Sequence, residues 1–295
     1  MEFRGRFLVL VVESPYDASF IVYFFTSDVN LSMIRETAEQ LISTVKKRSP
    51  MVEYIGVEPL PFEGEGYVIV QDEPSGFRLV HNTIPSQVFK KLEEYRARRL
   101  TLDLDSDLVK GKNGALLLQL STAVQALRKY PLRVYETHAG YHVIAELPEP
   151  LPFQQRIAIR RGLGDDPKRI DYDLTLQRIG LRGLTDIMFT YKWWYGQENF
   201  HEWREIPSRE VPILLPSPAR LPKGFKARAG RGTVEYMEFM FEPDMSPASE
   251  PKGYLVFRGV EFEEAVMYVE RLRRKMEDIV HEILSVSRRE VNLEM

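Results

Sequence analysis

The segment Leu100-Thr101-Leu102-Asp103-Leu104-Asp105 can be folded in few ways. Its apolar run is too short for a helix of ordinary length and reads as a buried strand. Residues i and i+2 of a strand point to one face, so Asp103 and Asp105 project together at the strand's C-terminal end. Two carboxylates side by side are costly unless a cation neutralises them, and Mg²⁺ or Mn²⁺ is the usual hard partner. Asp107 would share that face if the strand ran on, but Ser106-Asp107 reads better as the start of a loop.

The rest of the chain alternates strand-like and helix-like stretches, an α+β (α/β) pattern. Residues 7–12, 20–25, 52–57, 67–70 and 77–80 are rich in β-branched and aromatic residues and read as strands. Ser32 opens a helix to about residue 47, and Ser86 caps another ending near residue 99. Further on, 116–127 and 153–163 read as helices, and 132–135, 141–147, 169–173 and 187–195 as strands. Residues 205–232 hold five prolines, then glycines at 224, 230 and 232, and read as a linker or loop. This gives a core over 1–204, made of an N-terminal unit 1–98 and a sheet module 99–204, then the linker, then a C-terminal segment 233–295.

Composition removes several classes of function. The chain has 295 residues, 44% hydrophobic and 28% charged, a globular balance. With no cysteine there are no disulfides, no cysteine-ligated zinc and no thiol catalysis. The apolar run 7–12 ends at Glu13, too early for a signal peptide. No stretch approaches the roughly 18 apolar residues of a membrane helix. These features lead us to expect a cytoplasmic protein without a membrane partner. The net charge of −3 neither indicates nor excludes a nucleic-acid partner, because the local field over a groove decides that.

Two more segments carry chemistry. In Thr137-His138-Ala139-Gly140-Tyr141-His142, Gly140 permits a tight turn and close backbone approach to a ligand. His142 begins the next strand beside that turn, where a histidine, amides and a hydroxyl suit triphosphate oxygens. Arg169-Ile170-Asp171-Tyr172-Asp173 repeats the alternating acidic pattern, and Asp171 is placed to complete a three-carboxylate site for two metals. Other readings of Asp-x-Asp fare worse. A calcium loop from Asp103 needs Gly sixth and Glu twelfth but meets Leu108 and Gly114. A haloacid-dehalogenase-type phosphatase fits poorly at Asp107, and no donor-site motif supports a glycosyltransferase.

The order Asp-x-Asp, small residue-x-His, hydrophobic residue-Asp, over about residues 95–195, resembles the archaeo-eukaryotic primase superfamily of primase small subunits and primase-polymerases. The resemblance implies a primase catalytic core with an RNA-recognition-like sheet module and a C-terminal helical element. It implies that Asp103, Asp105 and Asp171 hold Mg²⁺ or Mn²⁺, that His142, with Thr137 and Gly140, meets the incoming nucleoside triphosphate, and that Arg182 binds phosphate. The activity implied is DNA-directed primer synthesis on a single-stranded DNA template. Thr137, His138 and Gly140 depart from the family's usual residues, the proline after its arginine is absent at Arg182-Gly183, and there is no Walker A motif. Two competing classes remain: a catalytically inactive primase-fold single-strand-binding replication factor, and a metal-dependent phosphohydrolase.

Basic residues supply template contacts in this reading. Arg156 and Arg160, four apart on one helix, face the same way. Arg220, Lys223, Lys226 and Arg228 form a second basic stretch, and Trp193, Trp194 and Tyr195 offer a base-stacking surface. From about residue 261 to 286, Phe262, Ala265, Val269, Leu272, Met276, Ile279, Ile283 and Val286 follow a heptad pattern. That helix lies either on its own domain or against a second copy; a regulatory primase subunit is the other partner the resemblance implies.

Overall fold

The computed structural model describes residues 5–13, 19–26, 51–73, 76–105, 114–194, 201–241 and 247–291. The helix expected over 32–47 lies outside them. The fold is mixed α+β, with five helices and three sheets among the described residues.

The chain divides into two compact units, 1–105 with 135–205, and 106–134 with 206–295. In chain order the first unit begins with β1 (Gly5–Glu13), β2 (Ser19–Thr26), β3 (Met51–Leu60), β4 (Gly66–Glu73), β5 (Gly76–Asn82), α1 (Ser86–Ala97) and β6 (Arg99–Leu104). Then come α2 (Gly114–Leu127), β7 (Leu132–Glu136), β8 (Tyr141–Glu146), α3 (Phe153–Gly162) and α4 (Pro167–Arg178). The strands β9 (Tyr191–Trp194), β10 (His201–Glu202) and β11 (Arg204–Ile206) follow. The last elements are β12 (Ile213–Pro216), β13 (Lys226–Ala229), β14 (Gly232–Phe241), β15 (Pro247–Arg258) and α5 (Phe262–Val291).

A seven-stranded sheet, order β10-β9-β3-β1-β2-β4-β5, is antiparallel throughout. Tyr23, Phe25, Val68 and Val70 from this sheet bury against Val88 and Leu92 of α1 and Leu176 of α4. Burying such side chains contributes about 1.5–3 kcal/mol each. Pro85, not Ser86, sits at the N-cap of α1, and no side chain caps it. A second sheet runs β11-β7-β8-β6.

Two expectations fail here for physical reasons. Residues 169–173 are helix, not strand, because Asp166 caps α4 and Pro167 occupies its first turn. Residues 205–232 are not simply a linker: they carry β12 and β13, the two edges of a sheet ordered β12-β15-β14-β13. Pro216 pairs with Tyr254 at one edge, where a missing N–H is tolerated. Gly230 and Arg231 turn the chain between the paired residues Ala229 and Gly232, with Gly230 at φ +56°. The prolines and glycines thus punctuate strands.

Within the second unit, Ala265 and Val269 of α5 bury against Leu255 and Phe257 of β15. The heptad residues of the helix's first half therefore serve its own domain. Further along, Ile279 and Val280 are about half exposed.

Candidate active site

β6 and β8 pair antiparallel with Asp103 directly opposite His142. Leu100, Leu102 and Leu104 are fully buried, while Asp103 keeps partial exposure and Asp105 is exposed. The strand is thus anchored by its leucines and presents its carboxylates at its end. The His142 ring is buried, with Nδ1 3.0 Å from the Phe189 carbonyl oxygen and Nε2 3.4 Å from Asp103 Oδ1. Trp203 meets the ring edge-on at 6.2 Å. With Nδ1–H donating to Phe189, Nε2 is the nitrogen turned toward Asp103. Burial alone would raise the Asp103 carboxyl, but His142, Arg169 and Lys192 outweigh it and hold the group below its ordinary value.

The turn before His142 is locked from within. Thr137 Oγ1 accepts the Gly140 N–H at 2.8 Å, and the Thr137 N–H donates to the Gly140 carbonyl at 3.0 Å. A Cβ on Gly140 would lie 2.1 Å from the Leu104 carbonyl oxygen. Glycine is therefore required there, but the backbone it approaches is the end of β6, not a ligand. This contact fixes the turn against the segment that bears Asp103 and Asp105.

A cavity of about 460 Å³ in the first unit is lined by Asp103, Asp105, Thr137 and His142, among others. It adds a further carboxylate, Asp166, and three cations, Lys168, Arg169 and Lys192. Asp166 belongs here because it caps α4, accepting the Lys168 N–H at 2.9 Å, while its own N–H donates to the Asp103 carbonyl at 3.0 Å. Burial, then the nearby Asp103 charge, pushes the Asp166 carboxyl upward against the pull of the Lys168 N–H.

Asp171 is not in this cavity. A helix turns about 100° per residue, so Asp171 and Asp173 point apart: Asp171 is exposed and Asp173 is buried. Asp173 lines the cavity, but it accepts from Arg160 and from the Asp186 N–H. Among the described residues, no three His, Asp or Glu side chains gather closely enough to hold a metal ion as they stand.

Below the cavity lies a buried ion network. Arg160 is fully buried; its Nε donates to Asp165 at 2.7 Å and its Nη1 donates to Asp173. Arg156 donates to Asp186 at 2.9 Å, and Arg169 donates to Asp165 and to Asp186, each at 3.0 Å. Three arginines thus face three aspartates, which is how buried charge is tolerated. Arg156 and Arg160 are accordingly not the template contacts expected on an open helix face. The network reaches the site, since Asp165 accepts the Asp103 N–H at 2.6 Å. Asp186 sits at φ +57° with its carboxyl far below the ordinary range: burial opposes this, and Arg160, Arg169 and Arg156 overcome it.

The remaining expected residues lie elsewhere. Arg182 is exposed and lines a different cavity. Lys226 and Arg228 are on β13, where Lys226 pairs with Glu235 at 3.3 Å; Arg220 pairs with Glu238 at 2.9 Å, and Lys223 is exposed. Trp193 and Trp194 pair through β9 with Ile55 and Tyr54 of β3, and Tyr195 is outside the described residues. Asp166, Lys168, Arg169, Lys192 and Trp203 are the cavity residues that the motif reading passed over. For the first three the signal was Asp165-Asp166-Pro167, a helix start that turns the next residues into a first turn; Lys192 and Trp203 have no comparable local signature.

Comparison of the chain with protein-family models, with curated proteins and with solved structures found no match.

Proposed function

We infer that this chain is a template-directed nucleotidyl transferase of the primase kind, acting on nucleoside triphosphates along single-stranded DNA. The observation that carries this reading is one cavity shared by Asp103 and Asp105 at the end of β6, His142 in register on β8, and Lys168, Arg169 and Lys192. Carboxylates beside a cluster of cations suit a substrate that is itself a string of phosphates. The donor chemistry also suits a hard divalent ion. Asp166 sets a further carboxylate on the wall of the same cavity. Asp103 and Asp105, with Asp166 in place of Asp171, would hold Mg²⁺ or Mn²⁺, which when bound activates a 3′-hydroxyl and neutralises the leaving pyrophosphate.

The chain's own residues do the positioning. Arg169 is clamped to Asp165 and Asp186 and braces the cavity wall, so Lys168 and Lys192 are the lining cations assigned to a phosphate. Phe189 and Trp203 hold His142 still. Tyr23, Ile187 and Phe189 give the cavity an apolar wall that suits a base or sugar.

A second reading has one observation in its favour. No three ligating side chains stand together among the described residues, which suits a single-strand-binding factor that keeps the scaffold without the chemistry. Labelled nucleotides, Mg²⁺ or Mn²⁺, and primed or unprimed single-stranded template separate the readings. Template-dependent polymer supports the transferase. Strand binding with no incorporation supports the binding factor, and free nucleotide hydrolysis without polymer points to a phosphohydrolase.

A further inference from the structure

Five residues of α4 line the Asp103 cavity: Lys168, Arg169, Tyr172, Asp173 and Leu176. They fall at i, i+1, i+4, i+5 and i+8, which is one face of a helix. Most of that face serves the fold. Arg169 and Asp173 belong to the buried ion network, and Leu176 is buried in the core. Lys168 and Tyr172 differ, because both are exposed.

Tyr172 is 47% exposed, whereas the other aromatic residues of the cavity, Tyr23, Phe189 and Trp203, are buried or half-buried. A single exposed tyrosine is ordinary on a protein surface. What sets this one apart is its support. Its ring lies on that of Phe77 in β5, with centroids 5.3 Å apart and planes 11° from parallel. Phe77 is itself buried in the core of the seven-stranded sheet. The tyrosine is thus backed by the core, and its plane is set before any ligand arrives. A flat aromatic surface held at the exposed side of a charged cavity is a stacking platform for a heterocycle. Lys168 stands one turn earlier on the same face, about 6 Å along the helix axis. That span is of the order that separates the phosphates of a nucleotide from its base.

We propose that Tyr172 is the base-stacking residue of this cavity, so that a nucleotide is held there by its base as well as by its phosphates. The proposal rests on the nucleoside triphosphate reading of the site and adds how that substrate is recognised. Stacking needs only a π-face, so the cavity accepts any of the four bases and leaves the choice among them to pairing with the template.

The test titrates the full chain, in Mg²⁺ buffer, with dATP, with dTTP and with inorganic tripolyphosphate, which has the phosphates but no base. Wild type, Tyr172→Ala and Tyr172→Phe are compared by the heat of binding. Tyr172→Ala should weaken both nucleotides about tenfold and leave tripolyphosphate as in wild type, which also shows that the cavity is still folded. Tyr172→Phe keeps the ring and should bind all three ligands as wild type does. If Tyr172→Ala binds the nucleotides as tightly as wild type, or loses tripolyphosphate to the same extent, the proposal is overturned while the triphosphate reading of the cavity stands. Failure of all three ligands to bind wild type overturns both.

Discussion

His142 has little freedom. One ring nitrogen is committed to Phe189, the other faces Asp103, and Trp203 closes the edge. Its replacement by alanine removes the partner of Asp103 and should cost about 1–3 kcal/mol of stability. It should also raise the KM for nucleoside triphosphate about tenfold, if Nε2 turns from Asp103 to the phosphate on binding. Steady-state incorporation kinetics check this; an unchanged KM would remove His142 from the phosphate site. Gly140→Ala acts differently. The added methyl meets the Leu104 carbonyl, so β6 or the turn must move. The expected cost is about 1–3 kcal/mol in denaturant unfolding, with a loss of activity even where the protein remains folded. Asp186 gives a pH signature. Its folded pKa is depressed, so its stabilisation is complete above the unfolded value, about 3.9, and is lost as pH falls toward the folded value. Asparagine tolerates the positive φ at this position. The stability gap between wild type and Asp186→Asn should therefore be wide at pH 7 and shrink steadily below about pH 5. A gap independent of pH would contradict the ionised role of Asp186.

At the scale of elements, the strands were readable because burial on one face imposes alternation, and β6, β8 and the turn between β7 and β8 carried that signal plainly. The strands that carry Asp103 and His142 were therefore legible in the chain, but their pairing in register came from the fold. The acidic segment after Gly164 was not legible, because Ile170, Asp171 and Asp173 alternate like a strand while Asp166 and Pro167 begin a helix. Two signals conflicted, and capping prevailed. That conflict left Asp171 outside the cavity and set Asp166 on its wall. The basic helix α3 misled for another reason: Arg156 and Arg160 look solvated until Asp165, Asp173 and Asp186 are brought to them by tertiary contacts. In α5, Ala265 and Val269 are core residues, whereas Ile279 is exposed. Ala265→Glu should prevent stable folding of the second unit, while Ile279→Lys should change stability by no more than about 0.5 kcal/mol. Calorimetry of both variants checks this. A large loss for Ile279→Lys would show that the exposed half of the helix is covered in solution, as by a second copy.

For the whole molecule, the net charge of −3 says little, because the charges that matter are sorted. One buried network balances three arginines with three aspartates. Above it a cavity sets carboxylates beside cations, and the second unit carries its lysines and arginines partly matched by Glu235 and Glu238. Function on this account resides in the first cavity, with Asp103 at its centre and Asp171 outside it. The most direct measurement is divalent-metal-dependent incorporation of labelled nucleotide on single-stranded DNA by wild type, Asp103→Asn and Asp171→Asn. Wild type should incorporate nucleotide, Asp103→Asn should lose about a thousandfold, and Asp171→Asn should stay within about twofold of wild type. Absence of incorporation by wild type, or equal activity of wild type and Asp103→Asn, would contradict this assignment.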